Sequence, residues 1–148
     1  NSEEFKGIPT GFSKLDEITS GLNRSDLVLI GARPAMGKTS FALNIARNVG
    51  FTGKKVIFFS LEMSNEQLAA RVLSTEARVE SNKLRSGNIS DEEWARLAQA
   101  TDRLTRCNLY FDDTSTITVP DIKSKIKRTT SACSVSTINS PRSSFLYP

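Results

Sequence analysis

The segment Ala32–Ser40, which reads ARPAMGKTS, has the residue types and the spacing of a phosphate-binding loop. Such a loop surrounds a polyphosphate with backbone N–H groups, and the helix that follows adds the positive end of its dipole. Lys38 would reach the β- and γ-phosphates, and the Thr39 hydroxyl would ligate Mg²⁺. The usual opening glycine is replaced by Ala32, and Gly-Lys-Thr alone arises by chance too often to decide. The flanking elements must therefore support the prediction.

The predicted ligand is ATP with Mg²⁺, and Thr39 is the predicted metal ligand. The residues expected to contact the nucleotide are consecutive: Ala32, Arg33, Pro34, Ala35, Met36, Gly37, Lys38, Thr39 and Ser40.

A carboxylate that could activate water follows an apolar run. Glu62 stands in FFSLEMS, shortly after the run Val56–Phe59. Hydrolysis of a nucleoside triphosphate needs a group that orients and polarises the attacking water opposite the γ-phosphate. The dipole of a following helix also favours an acidic residue at this place, and spacing alone leaves the two interpretations equal.

Two more acidic residues, Asp112 and Asp113, end the run LYFDD. An apolar strand that ends in aspartate is the pattern of a magnesium-linked acidic strand end, known as a Walker-B element. The sequence DDTS is also good turn chemistry, and the turn is the favoured interpretation.

The elements around these residues alternate between strands and helices. Continuously apolar runs at Leu27–Ile30, Val56–Phe59 and Leu109–Phe111 predict buried parallel strands. Helical spacing of apolar residues follows the loop over residues 41–49 and is expected to end at Gly50. Strand and helix in alternation indicate an α/β fold with an open, doubly wound, mostly parallel sheet. Ligands in such sheets bind beyond the carboxyl ends of the strands.

Three polar clusters fall at such strand ends: Gly31–Thr39, Ser60–Glu62 and Asp112–Asp113. Their convergence on one edge is what an active site requires.

Helix starts are predicted from capping boxes, in which a Ser or Thr is followed three residues later by an acidic residue or Gln. The pairs are Ser13 with Asp16, Ser64 with Gln67, Ser90 with Glu93 and Thr118 with Asp121. A short helix before Gly87 completes the set. Behind Ser90, the apolar stripe Trp94, Leu97, Ala98 and Leu104 is expected to face the core, with Trp94 as a core anchor.

The last predicted helix should turn Ile122 and Ile126 inward. Its outward cations are Lys123, Lys125, Lys127 and Arg128. These could bind nucleic acid, but a solvated face is the commoner explanation. The net charge of +4 is compatible with a polyanionic partner and decides little.

Composition narrows the chemistry. The chain of 148 residues contains no histidine, which excludes a histidine general base. Its two cysteines, Cys107 and Cys133, indicate neither a disulfide framework nor by themselves a structural zinc site, and a reducing cytoplasm is the expected location. No apolar run is long enough to span a bilayer, and residues 1–6 lack the apolar core of a signal peptide.

The composition changes after residue 128. Residues 129–148 are dominated by Ser and Thr and show no helical or clean strand period. A flexible tail is one interpretation, and a truncated or frame-shifted end is the other. The predicted division is therefore a partial ATPase domain over residues 1–128 and a divergent tail over residues 129–148.

Four segments together resemble the RecA-like motor domain of hexameric replicative DNA helicases of the DnaB type. They are GIPTGFSKLDEITSGL, GARPAMGKTSFALNIA, FFSLEMSNEQLAARVL and LYFDDTS, and the resemblance runs from about Gly7 to Arg128. The family's loop characteristically begins with Ala, so Ala32 supports the resemblance. Glu62 matches the glutamate that activates water in this family, and Lys38 and Thr39 match its nucleotide and Mg²⁺ ligands.

The resemblance implies a RecA-like P-loop NTPase, incomplete in this chain. It implies a parent protein that hydrolyses ATP, translocates on single-stranded or forked DNA as a hexameric ring and works with replication proteins such as primase. The family's Walker-B aspartate lies on a later strand, which disfavours a metal role for Asp112 and Asp113. Nothing in residues 129–148 matches that strand or the arginine finger, and loss of an arginine finger costs about 10³–10⁵ in rate. The chain alone is expected to bind nucleotide weakly, with negligible hydrolysis and no unwinding.

Two alternatives stay open from the sequence. One is another RecA-class ATPase, such as a recombinase or a KaiC-like clock ATPase. The other is a non-catalytic truncated paralogue that binds nucleotide or a helicase subunit.

Overall fold

The computed structural model describes residues 7–131, which form six helices and a sheet of two parallel strands. In chain order the elements are α1 (Ser13–Thr19), α2 (Lys38–Phe51), β1 (Val56–Phe59), α3 (Asn65–Ala77), α4 (Ser81–Ser86), α5 (Asp91–Leu104), β2 (Leu109–Asp112) and α6 (Val119–Ser131). Both strands match the predicted runs, and Val56 pairs with Leu109 in register. No helix within this part of the chain is long and apolar enough to cross a membrane.

The main core lies where α2, α3 and the end of α5 pack on the sheet. Its fully or almost fully buried members are Leu43, Ala46, Leu68, Val72, Leu104, Cys107 and Leu109. A second cluster of Ala77, Val79, Leu97 and Ala100 joins α3 to α5. This packing fixes α2, which follows the loop, against α3, which follows Glu62.

The predicted strand at Leu27–Ile30 is wrong for the described part of the chain. The segment has no strand partner there, and Leu27 and Leu29 are each 85% exposed. A strand exists only where a neighbour accepts and donates its backbone hydrogen bonds, and an apolar run is buried only where helices cover it. Residues 7–131 supply β1 and β2, which pair with each other, and leave Leu27–Ile30 without a partner.

Three of the four predicted capping boxes are confirmed. Ser64 with Gln67 and Ser90 with Glu93 make reciprocal bonds at the starts of α3 and α5. At α6, Thr118 donates to Asp121, whose N–H is 3.4 Å from the Thr118 hydroxyl oxygen.

The fourth box, Ser13 with Asp16, is wrong. The N-cap of α1 is Phe12, without a side-chain bond, because the Asp16 carboxylate turns back to the chain before the helix. It accepts hydrogen bonds from the N–H and hydroxyl of Thr10 and from the N–H of Gly11. The buried Thr10 is a stronger claim on this carboxylate than the exposed Ser13 hydroxyl.

The predicted inward face of α5 is partly wrong. Trp94 is 55% exposed and Ala98 is exposed, whereas Leu97 and Leu104 are buried as predicted. The buried stripe includes Glu93, which pairs with Lys83, and this pair rotates Trp94 out of the core.

Two details of α2 and α6 also differ from prediction. Helix α2 continues through Gly50 to Phe51, because Gly50 lies against the Cys107 sulfur, where a side chain would not fit. On α6, Ile126 is 45% exposed, and Lys125 faces the Asp112 carboxylate instead of solvent. The helix reaches three residues past the predicted boundary at residue 128, and residues 132–148 lie outside the described residues.

Candidate nucleotide-binding site

The predicted loop forms a tight turn that leads directly into α2. The Met36 N–H donates to the Arg33 carbonyl at 3.3 Å, and two residues adopt positive φ, Ala35 at 64° and Gly37 at 81°. Alternation of left-handed and ordinary backbone turns successive N–H groups toward one side, which makes an anion-binding concavity. Glycine suits the left-handed position at Gly37, and a Cβ built there would meet open space.

Helix α2 begins at Lys38, so the most characteristic residues of the loop form its first turn. The N–H groups of Lys38, Thr39 and Ser40 have no acceptor within the helix, as at every helix start. The Phe41 N–H already bonds the Gly37 carbonyl at 2.9 Å. A 14-residue helix therefore presents three unpaired donors and its positive end on the loop side.

The side chains of this turn are accessible. Lys38 and Ser40 are exposed and Thr39 is half-buried. Lys38 makes no hydrogen bond or ion pair within residues 7–131. An ammonium and a hydroxyl beside unpaired N–H groups are the donor set that fits a polyphosphate and its metal ion.

Glu62 lies on an exposed bend between β1 and α3. Ser60 shapes this bend, because its hydroxyl oxygen accepts the Met63 N–H at 2.9 Å and its own N–H donates to the Asp112 carbonyl at 2.8 Å. Leu61 and Glu62 consequently project to solvent beyond the end of the sheet. The Glu62 carboxylate has no hydrogen-bond or ion-pair partner among the described residues.

Asp112 and Asp113 are both engaged by protein groups. The Lys125 ammonium lies 2.5 Å from the Asp112 carboxylate, which also accepts the Thr114 N–H at 3.1 Å. Burial raises the pKa of Asp112, but the bonds from Lys125 and Thr114 outweigh this effect and hold the pKa below its ordinary value. The Asp113 carboxylate accepts the Asn65 N–H at 2.9 Å, at the start of α3. Among the described residues no group of acidic, cysteine or histidine side chains could hold a metal ion.

The structure brings two of the three predicted clusters to one edge. The Ser60–Asp112 and Asn65–Asp113 bonds join the ends of β1 and β2 and the start of α3. The loop approaches this region through α2, where the Arg71 guanidinium on α3 lies 3.5 Å from the Ser40 hydroxyl oxygen. No described contact joins Lys38 directly to Glu62, and the roles of these two residues remain predictions. Arg71 carries no local motif, so sequence reasoning had no signal for its place beside the loop.

A family profile described as the DnaB-like helicase C terminal domain matches residues 7–139. The chain belongs to this family. Replicative DNA helicase DnaB of Geobacillus stearothermophilus is 48% identical over 126 residues, which is 84% of this chain and 28% of that protein. Replicative DNA helicase DnaB of a Nostoc species is 49% identical over 123 residues, which is 82% of this chain and 14% of that protein. The chain thus spans only a minor part of these relatives.

Two solved structures share the fold. One is an isolated ATPase domain, 33% identical with a TM-score of 0.82, over 86% of this chain and 46% of that one. The other is a DnaB-like replicative helicase, solved for its interactions with primase. It is also 33% identical with a TM-score of 0.82, over 87% of this chain and 32% of that one. The predicted resemblance and the RecA-like α/β fold class are confirmed, and the match favours replicative helicases over a recombinase or a clock ATPase.

Proposed function

We propose that Ala32–Ser40 bind the phosphates of ATP and that this chain is part of the motor of a replicative DNA helicase. The observation that carries the proposal is the start of α2 at Lys38, where a left-handed Gly37 delivers unpaired N–H groups and a solvent-facing ammonium to one point. Helix starts of this kind are established anion sites.

Each residue of the first turn has its own part in binding. The backbone N–H groups of the loop and the first turn donate to phosphate oxygens, and Lys38 adds a full positive charge toward the β- and γ-phosphates. The Thr39 hydroxyl is the side chain that would hold Mg²⁺, and the ion would neutralise charge on the phosphates. Arg33 belongs to the loop and has no separate catalytic part.

Glu62 is proposed to orient the attacking water. A carboxylate that is exposed, unpaired and fixed at the end of a strand can accept a hydrogen bond from water without first breaking a protein contact. The Ser60 turn holds Glu62 on the same edge as the β2 terminus, which is where a RecA-like sheet binds its ligand. Asp112 and Asp113 have structural partners and take no part in this proposal.

The parent protein is proposed to be an ATP-dependent helicase that translocates on single-stranded or forked DNA. A hexameric ring, a primase partner and a cytoplasmic location are proposed on the basis of family membership and the relatives' replicative function. An arginine from a neighbouring subunit would complete each ATP site. The 148-residue chain by itself is expected to bind nucleotide weakly and not to unwind DNA.

The experiment that tests nucleotide binding is a fluorescence titration with the ATP analogue mant-ATP and Mg²⁺. Lys38→Ala should weaken binding about 10-fold or more, because a charge-assisted bond to phosphate is worth about 1.5–3 kcal/mol. Lys123→Ala, which removes an exposed lysine from α6, is the matched control and should leave the Kd unchanged. Equal affinities for the chain and Lys38→Ala would show that the loop does not cradle phosphate.

A non-catalytic nucleotide-binding module is the second candidate function for the chain. The open position of Glu62, without any supporting side-chain bond, is the observation that favours it. Phosphate release measured with Glu62→Gln separates the two. A loss of turnover supports catalysis, whereas unchanged release from a chain that binds mant-ATP supports the module.

A further inference from the structure

A buried acidic side chain joins the helix that follows the loop to the helix that follows Glu62. The Glu76 side chain on α3 is only 5% exposed, and both of its oxygens are engaged. One oxygen accepts from Nε and Nη2 of Arg47 on α2, with Nε at 2.7 Å. The other lies 3.2 Å from Nε of Arg103 on α5.

Arg47 is itself held from several sides. Its guanidinium lies 5.1 Å from the centre of the Phe51 ring, and its Nη1 donates to the Asn48 side chain at 3.0 Å. Asn48 in turn donates to the Thr10 carbonyl, in the segment that precedes α1. The bridge is therefore a fixed junction between α2, α3, α5 and the start of the described chain, and not a loose surface pair.

The junction lies at a distance from the residues with proposed chemistry, but on the same rods. Arg47 is nine residues after Lys38 on the continuous helix α2, a separation of about 14 Å at 1.5 Å per residue. Glu76 lies on α3, whose first residue, Asn65, follows the Glu62 bend closely. Since helices transmit displacement as rigid elements, a change at the bridge would shift the loop relative to that bend.

We infer that Glu76 is a positioning residue, which fixes the phosphate loop relative to Glu62 by holding α2 against α3 through Arg47. This inference rests on the proposed function for its consequence, but the helix placement can be measured without nucleotide. Apolar contacts between Leu43, Leu68 and Val72 also join the helices, and they permit small changes of angle that a two-oxygen bridge does not.

The test measures helix placement by NMR in the 148-residue chain with Cys133→Ser and Ala70→Cys. A nitroxide on the exposed position 70 of α3 broadens amides of α2 according to their distance. Cys107 is fully buried, and burial raises the pKa of its thiol, so it stays unlabelled. Glu76→Gln, which removes the charge at nearly constant shape, is expected to change the broadening of residues 38–43.

A second variant and a control keep the test decisive. Arg47→Lys keeps the charge and the stem but loses the planar fork, so it should reproduce the change even if Glu76→Gln folds poorly. Val79→Ala, a buried truncation outside the bridge, controls for lost stability and should keep the wild-type broadening. Mant-ATP should bind both bridge variants about fivefold or more weakly, the lower end of coupling between separated sites.

The outcomes separate the two proposals. Folded bridge variants with the wild-type broadening of residues 38–43 would overturn the inference. If the broadening changes but Lys38→Ala leaves mant-ATP binding intact, Glu76 still positions α2, and the proposed nucleotide site is what fails.

Discussion

Replacement of Asp16 by Asn should destabilise the fold strongly, although only one atom changes its chemistry. The Asp16 carboxylate is 4% exposed and accepts bonds at 2.8 Å and 2.7 Å from Thr10 and at 3.2 Å from the Gly11 N–H. Thr10 is almost completely buried, so no water can replace a lost bond. Asn48 ties the same segment to α2, which makes this turn part of the support of the loop helix.

The magnitude follows from the three bonds. An amide oxygen can still accept from Thr10, but each bond falls from the charged to the neutral class, a loss of about 1 kcal/mol apiece. The new NH₂ group must face the Gly11 N–H, which removes a further bond worth about 1 kcal/mol or more. We expect a total loss of about 3 kcal/mol, or a Tm lower by about 10 °C.

The assay is urea unfolding followed by circular dichroism, and Glu17→Gln is the control. Glu17 is exposed on the same helix, so its neutralisation should change the free energy of unfolding by less than about 0.5 kcal/mol. The reasoning would be refuted if Asp16→Asn were as stable as Glu17→Gln.

The pH dependence gives the same prediction an independent check. Burial raises the pKa of Asp16, but the bonds from Thr10 and Gly11 outweigh it, so the folded pKa lies below the ordinary 3.8. A lowered folded pKa contributes stability above the unfolded pKa, and this contribution is lost as the pH falls through the folded value. The gap between wild type and Asp16→Asn should therefore be constant near neutral pH and narrow below about pH 4.

Three further predictions concern packing, pH and the exposed apolar segment. Gly50→Ala should lower the urea midpoint by a net cost of about 1 kcal/mol, because its Cβ would lie 2.6 Å from the Cys107 sulfur and overpacking exceeds the gain in helix propensity; a raised midpoint would contradict this. The Lys83 ammonium and the Ser90 bonds lower the pKa of Glu93 from 4.5 to about 2, so Glu93→Gln should reduce Tm at neutral pH and flatten the loss of Tm between pH 4.5 and 2, and parallel Tm curves would count against it. Leu29→Lys should reduce self-association in light scattering without changing Tm, because Leu29 is 85% exposed on an unpaired extended segment; unchanged scattering would argue against edge pairing.

The parts of the fold that the sequence predicts well are those determined by neighbours in the chain. Capping boxes such as Ser64 with Gln67 need only residues of one turn, and β1 and β2 need only continuous apolar runs between turns. The phosphate loop was visible for the same reason, since its donors come from consecutive residues that start α2.

The errors arose where a residue had two possible partners or a distant one. Asp16 could cap Ser13 or bind Thr10, and only tertiary burial of Thr10 decides between them. Trp94 fits an apolar stripe, but the ion pair of Glu93 with Lys83 sets the rotation of α5. The segment Leu27–Ile30 has strand composition, and pairing depends on neighbours that the sequence pattern cannot supply.

The most direct test of the central claim is NMR of the 148-residue chain with ATP and Mn²⁺ in place of Mg²⁺. Mn²⁺ broadens nearby amides, so a triphosphate held by the loop with its terminal group toward Glu62 predicts strong broadening at Gly37–Ser40 and at residues 60–63. Broadening confined to other surfaces, or present at the loop and absent at residues 60–63, would contradict a shared site for Lys38 and Glu62.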